Sequence, residues 1–433
     1  YERLRLSQRE PHCGRDGARM RKFFAEAAEI LDSVLRKDAY VSRELSANTP
    51  PMVERLVLGA LENDVKSSCI ISRLAEKRPK PVVTALLKVG IYALLEIDNV
   101  PDYAIVSECV EAAEILGKKD ARGFVNAVLK KVARREYALP QKGEPDYLAV
   151  HYSKPDWFIK LLFARYGESL ATTILETPAP DTVHVRANLR MGTIDTVRSV
   201  LDAHATEYQI SEAGGLIMRP TPEIKEMFRE GMVTYQSPSS MLAVQALAPR
   251  DGDRVLDACS APGGKAVYIS ELCPHSEVVA CDVHSHRVEL VRAYAERMKA
   301  NNVTAVEKDA TVFDESFAEA FDSVLVDAPC SCLGTFRRHP DVLLRRGADS
   351  VKEIAALQRD ILSVVVRYLK KGGVLIYSTC TVTEEENEQN ADFIERELGL
   401  KPEVLPIARK NDGRLSLPPR DEWDGFFIAR FRK

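Results

Sequence analysis

Two cysteines stand where a thiol could do chemistry: Cys330 closes "SVLVDAPC" and Cys380 closes "GGVLIYSTC". Each ends an apolar run that reads as a buried strand. A thiol with a lowered pKa is a nucleophile, whereas a buried one is inert packing. Inert packing is the default for Cys69, Cys109, Cys273 and Cys281. Position sets Cys330 and Cys380 apart, because both precede polar turns and Pro329 stiffens the loop carrying Cys330.

A second cluster begins at "DACSAPGGK", Asp257 to Lys265, between a strand-like "RVL" and a helix. Its glycines let the backbone approach a ligand closely. The spacing is neither GxGxxG nor GxxxxGK[ST], so dinucleotide and Walker-type phosphate sites are poorly supported. An ordinary strand–turn–helix corner is the plain alternative. Asp282 ends the next apolar run and is placed to accept from the hydroxyls of a ribose. Asp309 and Asp327 end the two after that. One strand-terminal Asp is usually a cap or turn residue; three following a Gly-rich corner suggest a nucleoside-type ligand.

The elements that must position these residues follow from periodicity. Phe24, Ala27, Ala28, Leu31, Val34 and Leu35 recur at helical spacing. Pro51, Pro81 and Pro101 stand at or just before helix starts, where a missing N–H costs least. An all-α unit over 19–140 is expected, after a polar tail over 1–18 and before a linker, "LPQKGEPDY". Residues 145–237 read as a small α+β unit, from "DTVHVRANL", "TEYQISE" and "GLIMR". From 238 to 433 strands alternate with helices, the signature of a mostly parallel sheet covered on both faces. Ligands sit beyond the C-terminal strand ends of such sheets, where both thiols would lie.

Composition bounds the rest. A chain of 433 residues with 45% apolar content predicts two or three domains with sizeable cores. A net charge of −4 means that any nucleic-acid surface must be local. Nine cysteines without a signal-peptide pattern suggest a reducing, cytoplasmic setting. No Cys/His pattern has zinc spacing, so no metal is expected. The longest apolar run carries Lys88 and is too short for a bilayer, so no membrane partner is expected.

"DACSAPGGK", "VDAPCSCLGTFRRHPD" and "IYSTCTVTEEENE", in that order, resemble the RNA 5-methylcytosine methyltransferases of the Sun/Fmu/RsmB family. "ALLKVGIYALLEI" and "GFVNAVLKKVARRE" are similar to the NusB-like domain of the RsmB branch. The resemblance implies an α/β, Rossmann-like class I methyltransferase domain behind a NusB-like, RNA-binding helical domain. It implies S-adenosylmethionine as cofactor, with Cys259, Ser260, Ala261, Pro262, Gly263, Gly264 and Lys265 as its loop. Asp282 would take the ribose, Asp309 the adenine, and Asp327 the methionine end and target base. Cys380 would be the nucleophile and Cys330 would assist product release. Ala266, Thr381 and Pro238 depart from the family's usual residues, but none of them is assigned a chemical role.

That chemistry suits the residues. Carbon 5 of cytosine is a poor nucleophile until a thiolate adds to carbon 6, which splits one hard step into easier ones. The base must be single-stranded or flipped to be attacked from its face. Phosphate contacts are expected from two basic segments. One is 118–135, with Lys130, Lys131, Arg134 and Arg135; the other is 337–346, with Arg337 and Arg338. The expectation is a monomeric enzyme acting on 16S ribosomal RNA. The alternatives are a tRNA-directed relative and a non-catalytic RNA-binding assembly factor.

Overall fold

The computed structural model describes residues 15–36, 40–46, 48–407 and 411–433, with side chains described from Lys22. The expected tail over 1–18 lies mostly outside these residues; where description begins, at Arg15, the chain is already helical. Among the described residues no helix is long and apolar enough to cross a membrane.

The chain divides into two compact units. Among the described residues, one holds those up to Glu168 with His339–Arg345; the other holds Ser169–Arg338 with those from Arg346 onward. The helical unit packs Arg15–Arg36, Pro51–Glu62, Asp102–Ile115 and Arg122–Ala133 around Pro81–Glu96. Pro81–Glu96 is apolar on nearly every side and is buried from Val83 to Leu94 save two half-exposed positions. Its one buried cation, Lys88, is paired with Asp64, as a buried charge must be. Sequence periodicity missed Asp64–Leu74, whose apolar face is only a few residues wide. Asp341 accepts a hydrogen bond from the Val41 N–H at 3.3 Å, and the Arg345 guanidinium lies 4.1 Å from the centre of the Tyr40 ring.

The division corrects the boundaries expected from sequence. Residues 145–168 belong with the helices, not with an intermediate domain. The Lys66 N–H donates to Ser153 Oγ at 3.1 Å, and Lys154 donates to the Glu62 carbonyl at 3.4 Å. The break comes at Gly167, whose φ of 74° interrupts Asp156–Glu176.

The second unit carries two sheets. Four short strands, β1 (Val183–Ala187), β2 (Gln209–Ile210), β3 (Leu216–Met218) and β4 (Val233–Tyr235), form an antiparallel sheet in the order β2-β3-β1-β4. This sheet is not a separate domain. Arg186 pairs with Glu271, and Asn188 Nδ2 donates to the Met298 carbonyl at 2.9 Å, so buried polar groups join it to the larger sheet's helices.

The larger sheet contains β5 (Arg254–Asp257), β6 (Glu277–Asp282), β7 (Val303–Glu307), β8 (Phe321–Asp327), β9 (Leu369–Thr379), β10 (Lys401–Pro402), β11 (Arg414–Leu417) and β12 (Phe426–Arg432). The order is β10-β12-β9-β8-β5-β6-β7, with β11 also paired to β12. Strands β5 to β9 run parallel and β12 is antiparallel to β9. Side chains alternate between two cores: Val324, Val326, Leu375 and Tyr377 face one, and Leu325, Val374 and Ile376 face the other. The chain runs β5, β6, β7 to one side and returns to β8 on the other. This reversal opens a crevice between the C-terminal ends of β5 and β8, where ligands bind in such sheets.

Candidate active site

The crevice is lined from both sides by residues singled out in the sequence. On one side β5 ends at Asp257, and the turn 258–263 leads into the helix Gly264–Leu272. The turn is pinned where the Ser260 N–H donates to the Cys281 carbonyl at 2.7 Å. Gly263 has φ of 106°, and a Cβ there would sit 3.2 Å from Val291 Cγ1, so conformation and space both call for glycine. Asp282 is buried at the end of β6; its Oδ1 accepts from the His284 N–H at 3.3 Å and its Oδ2 lies 3.4 Å from Arg287. Asp309 is exposed, two residues past β7. Its Oδ1 accepts from the Thr311 N–H at 2.8 Å and hydroxyl at 2.7 Å, which holds its pKa below the usual range.

Opposite the turn, Asp327 ends β8. Its Oδ2 receives the Lys265 ammonium at 2.5 Å and its Oδ1 the Ser378 hydroxyl at 2.8 Å. Burial alone would lower the Lys265 pKa; the charge and hydrogen bond of Asp327 outweigh it and raise that pKa. Lys265 therefore ties the glycine-rich turn to the strand that carries the Cys330 loop.

Polar atoms along this crevice lack partners among the described residues. Both oxygens of the wholly buried Asp257 are in this state, as are Ser260 Oγ and Gln236 Nε2. Burial pushes the Asp257 carboxyl up to about 7, though Ser260 and the Lys265 charge act to lower it. A buried polar group without a partner is costly and needs an explanation. S-adenosylmethionine offers one, because its amino-acid end brings an ammonium for a carboxylate and a carboxylate for donors. The residues present fit that cofactor.

The two thiols converge on the same rim. Cys330 Sγ and Cys380 Sγ lie 3.3 Å apart, with Cys330 buried and Cys380 half-buried. Two backbone bonds fix this approach: the Ala328 N–H donates to the Ser378 carbonyl at 2.9 Å, and the Gly334 N–H to that of Cys380 at 3.0 Å. Hydrogen bonds with Cys332 and Cys380, then burial, hold the Cys330 thiol well above its usual pKa. For Cys380 the bond with Cys330 lowers the pKa, but Cys332 and burial outweigh it, so this thiol too is raised.

Sequence reading missed what holds the thiol loops together. Glu386, wholly buried, accepts from the Ser331 N–H at 2.8 Å, the Ser331 hydroxyl, Thr383 Oγ1 at 2.9 Å and Gln358 Nε2 at 3.0 Å. Gln358 also donates to the Pro329 carbonyl at 2.9 Å. The signal was present only as the acidic run "EEENE". Cys332, two residues past Cys330, joins the same cluster, its Sγ 3.9 Å from that of Cys330.

Two expected RNA contacts need correction. Arg337 is 4% exposed and donates to the Trp423 carbonyl at 2.6 Å, so it braces the fold. Arg338 is turned inward as well, to the Thr182 carbonyl at 3.0 Å and to Asp424 at 3.5 Å. Lys130, Lys131, Arg134 and Arg135 are exposed on the helical unit, as a phosphate-binding surface requires. Arg134 lies 3.8 Å from Glu136 and Arg135 donates to the Leu94 carbonyl at 3.3 Å.

Residues 244–432 match the model of the 16S rRNA methyltransferase RsmB/F family, and residues 21–134 match the NusB family. The chain is 33% identical over 443 residues to a probable ribosomal RNA small subunit methyltransferase B of Bacillus subtilis, covering 94% of this chain and 96% of that one. It belongs to the RsmB/F methyltransferase family. A ribosomal RNA small subunit methyltransferase B of Pasteurella multocida is 32% identical over 94% of this chain and 95% of its own length. Among solved structures, a methyltransferase homolog protein from Pyrococcus horikoshii superposes with a TM-score of 0.58 at 26% identity, over 67% of this chain and 99% of that one. As an RsmB/F member the chain is an S-adenosylmethionine-dependent methyltransferase with a NusB-like N-terminal domain.

Proposed function

We propose that this RsmB/F enzyme methylates carbon 5 of a cytosine in 16S ribosomal RNA, with Cys380 as nucleophile and Cys330 assisting release. The observation that carries the reading is the 3.3 Å approach of the two sulfurs beside the Lys265–Asp327 pair, at the crevice where the sheet reverses. The Cys380 thiol, raised in the resting site, passes its proton to water as the target base enters, and the thiolate adds to carbon 6; the 5,6 double bond gives way and carbon 5 becomes nucleophilic. S-adenosylmethionine, when bound, supplies the methyl group for that carbon. Removal of the carbon-5 proton then restores the double bond and expels the Cys380 thiolate. Cys330, in contact with Cys380, is placed to serve this last stage.

Cys259–Lys265 and Asp282 hold the cofactor in this reading, Asp309 faces its adenine through Oδ2, and Asp327 orients the target base. The Lys265 and Ser378 contacts hold the Asp327 side chain in place beside the thiols, where it can meet the target base. The exposed Lys130, Lys131, Arg134 and Arg135 supply phosphate contacts. The enzyme works as a cytoplasmic monomer on a flipped or single-stranded cytosine.

The test uses labelled S-adenosylmethionine with ribosomal and transfer RNA from cells lacking the enzyme. Label enters 16S RNA with the parent, none enters with Cys380→Ala, and Cys330→Ala accumulates a protein–RNA adduct resistant to denaturation. Label on transfer RNA alone selects the relative with that substrate. Equal labelling by Cys380→Ala removes the assigned nucleophile.

A further inference from the structure

We propose that Cys330, Cys332 and Cys380 form a binding site for a thiophilic d10 cation such as zinc(II), and that its occupation silences the two catalytic thiols. All three sulfurs lie within 4.8 Å of one another. The Cys330–Cys332 and Cys330–Cys380 separations are 3.9 Å and 3.3 Å. A tetrahedral zinc with Zn–S bonds of about 2.3 Å needs sulfurs roughly 3.8 Å apart, a spacing these thiols bracket before any side-chain adjustment.

Cys332 is what makes this a site. Methyl transfer as proposed above uses two thiols and leaves the third without a task. Its backbone has φ of 59°, in the left-handed region that residues other than Gly, Asn and Asp rarely adopt. There its sulfur turns back on the loop, 3.5 Å from the Cys330 carbonyl and facing the Cys330 sulfur. No histidine or carboxylate completes the cluster among the described residues. The donor set is therefore all sulfur, which selects zinc(II), cadmium(II) or copper(I) over the oxygen-seeking magnesium and calcium. Three protein ligands leave a fourth position open. Coordination withdraws negative charge from each thiolate and holds its sulfur on the ion, away from a pyrimidine ring, so occupancy and catalysis compete.

The site can be tested by binding alone, which separates its failure from failure of the methyl-transfer reading. The reduced, metal-free full chain is titrated with cadmium(II) while sulfur-to-cadmium charge-transfer absorption is followed in the ultraviolet; zinc(II) is then added as competitor. One equivalent binds tightly, zinc displaces it and excess magnesium does not. Two variants remove the third sulfur: Cys332→Ser is near-isosteric, and Cys332→Gly suits the backbone conformation. In both, affinity falls at least about tenfold and absorbance per bound ion falls by about a third, as one of three ligands is lost. Thermal melting establishes that both variants are folded, and Cys69→Ser, in the helix Asp64–Leu74 of the other unit, binds like the parent. Stoichiometric zinc stops methyl transfer by the parent and a chelator restores it. Absence of a stoichiometric band, parent-like affinity in both Cys332 variants, or full activity of the zinc-loaded parent would overturn the proposal.

Discussion

The Glu386 carboxylate accepts both the backbone N–H, at 2.8 Å, and the hydroxyl of Ser331, the residue that follows Cys330. The same carboxylate takes the hydroxyl of Thr383 at 2.9 Å, on the loop that follows Cys380. Ser331 Oγ and Thr381 Oγ1 lie 2.6 Å apart and complete the link. One buried anion thus fixes the separation of two loops that carry sulfurs from different strands.

Glu386→Gln puts an amide N–H where an acceptor oxygen stood, facing groups that are themselves donors. Leaving one or two buried donors unsatisfied costs about 1–3 kcal/mol, measurable by chemical denaturation. The thiol spacing loosens as well. Misplacement of reacting groups by about an ångström costs on the order of a hundredfold in rate, so single-turnover methyl transfer falls more than the stability loss alone accounts for. Parent-like turnover would show that the spacing is set elsewhere.

How much of this was legible in the sequence depends on what each residue does. Cys330, Cys380 and Asp327 end apolar runs, and a parallel sheet places such ends on one rim, so their convergence follows from one-dimensional pattern. Glu386 sits in "TEEENE" beside three other glutamates, and only the closure of two loops selects it for burial. Arg337 and Arg338 are adjacent and chemically alike, and both read as surface charge. The fold buries one against Trp423 because a long guanidinium stem can fill apolar space while its head bonds a carbonyl. The domain edge at Gly167 was hidden for a similar reason: a lone glycine in a helical pattern signals a break only once its φ is known.

Gly334 is the closest backbone approach in the site. A Cβ there would lie 2.1 Å from the Gly425 carbonyl oxygen and 2.8 Å from that of Cys380. Backbone atoms cannot rotate away, so Gly334→Ala forces the Cys330 loop off the end of β9. Such overpacking costs typically about 1–3 kcal/mol. The Gly334–Cys380 hydrogen bond is lost with it, and methyl transfer falls at least about a hundredfold. Comparison of melting temperature with single-turnover rate checks both effects.

Asp257 sets a pH dependence of stability. Its folded-state pKa, pushed up to about 7 by burial, exceeds the ordinary value of 3.8. Between those values the folded chain holds a proton that the unfolded chain has lost, so stability falls as pH rises through that window. Across roughly three pH units this amounts to an upper bound on the order of 4 kcal/mol. Of the charges that face the same group, Lys265 reduces the effect and Asp327 adds to it. Asp257→Asn, neutral throughout, is expected to flatten the fall between about pH 4 and 7 and to be relatively more stable above it. An unchanged slope in denaturation series across that range would contradict the assignment.

The two basic segments separate by what their substitutions change. Lys130 and Lys131 are exposed in the last turn of Arg122–Ala133, where cations are also favoured by the helix dipole. Each phosphate contact to single-stranded RNA contributes about 0.7 to the slope of log affinity against log salt. The double variant Lys130→Ala, Lys131→Ala therefore lowers that slope by roughly 1.4 while leaving the melting temperature near the parent's. Arg337→Ala does the reverse. It removes buried packing and one of two hydrogen bonds to the Trp423 carbonyl, which keeps the Arg420 N–H at 3.0 Å; the loss is about 1–3 kcal/mol, yet at temperatures where the fold persists its RNA affinity and salt slope match the parent's. Filter binding across a salt series, paired with denaturation of the same samples, measures both. A drop in salt slope for Arg337→Ala would mean that this guanidinium leaves Trp423 to grip RNA.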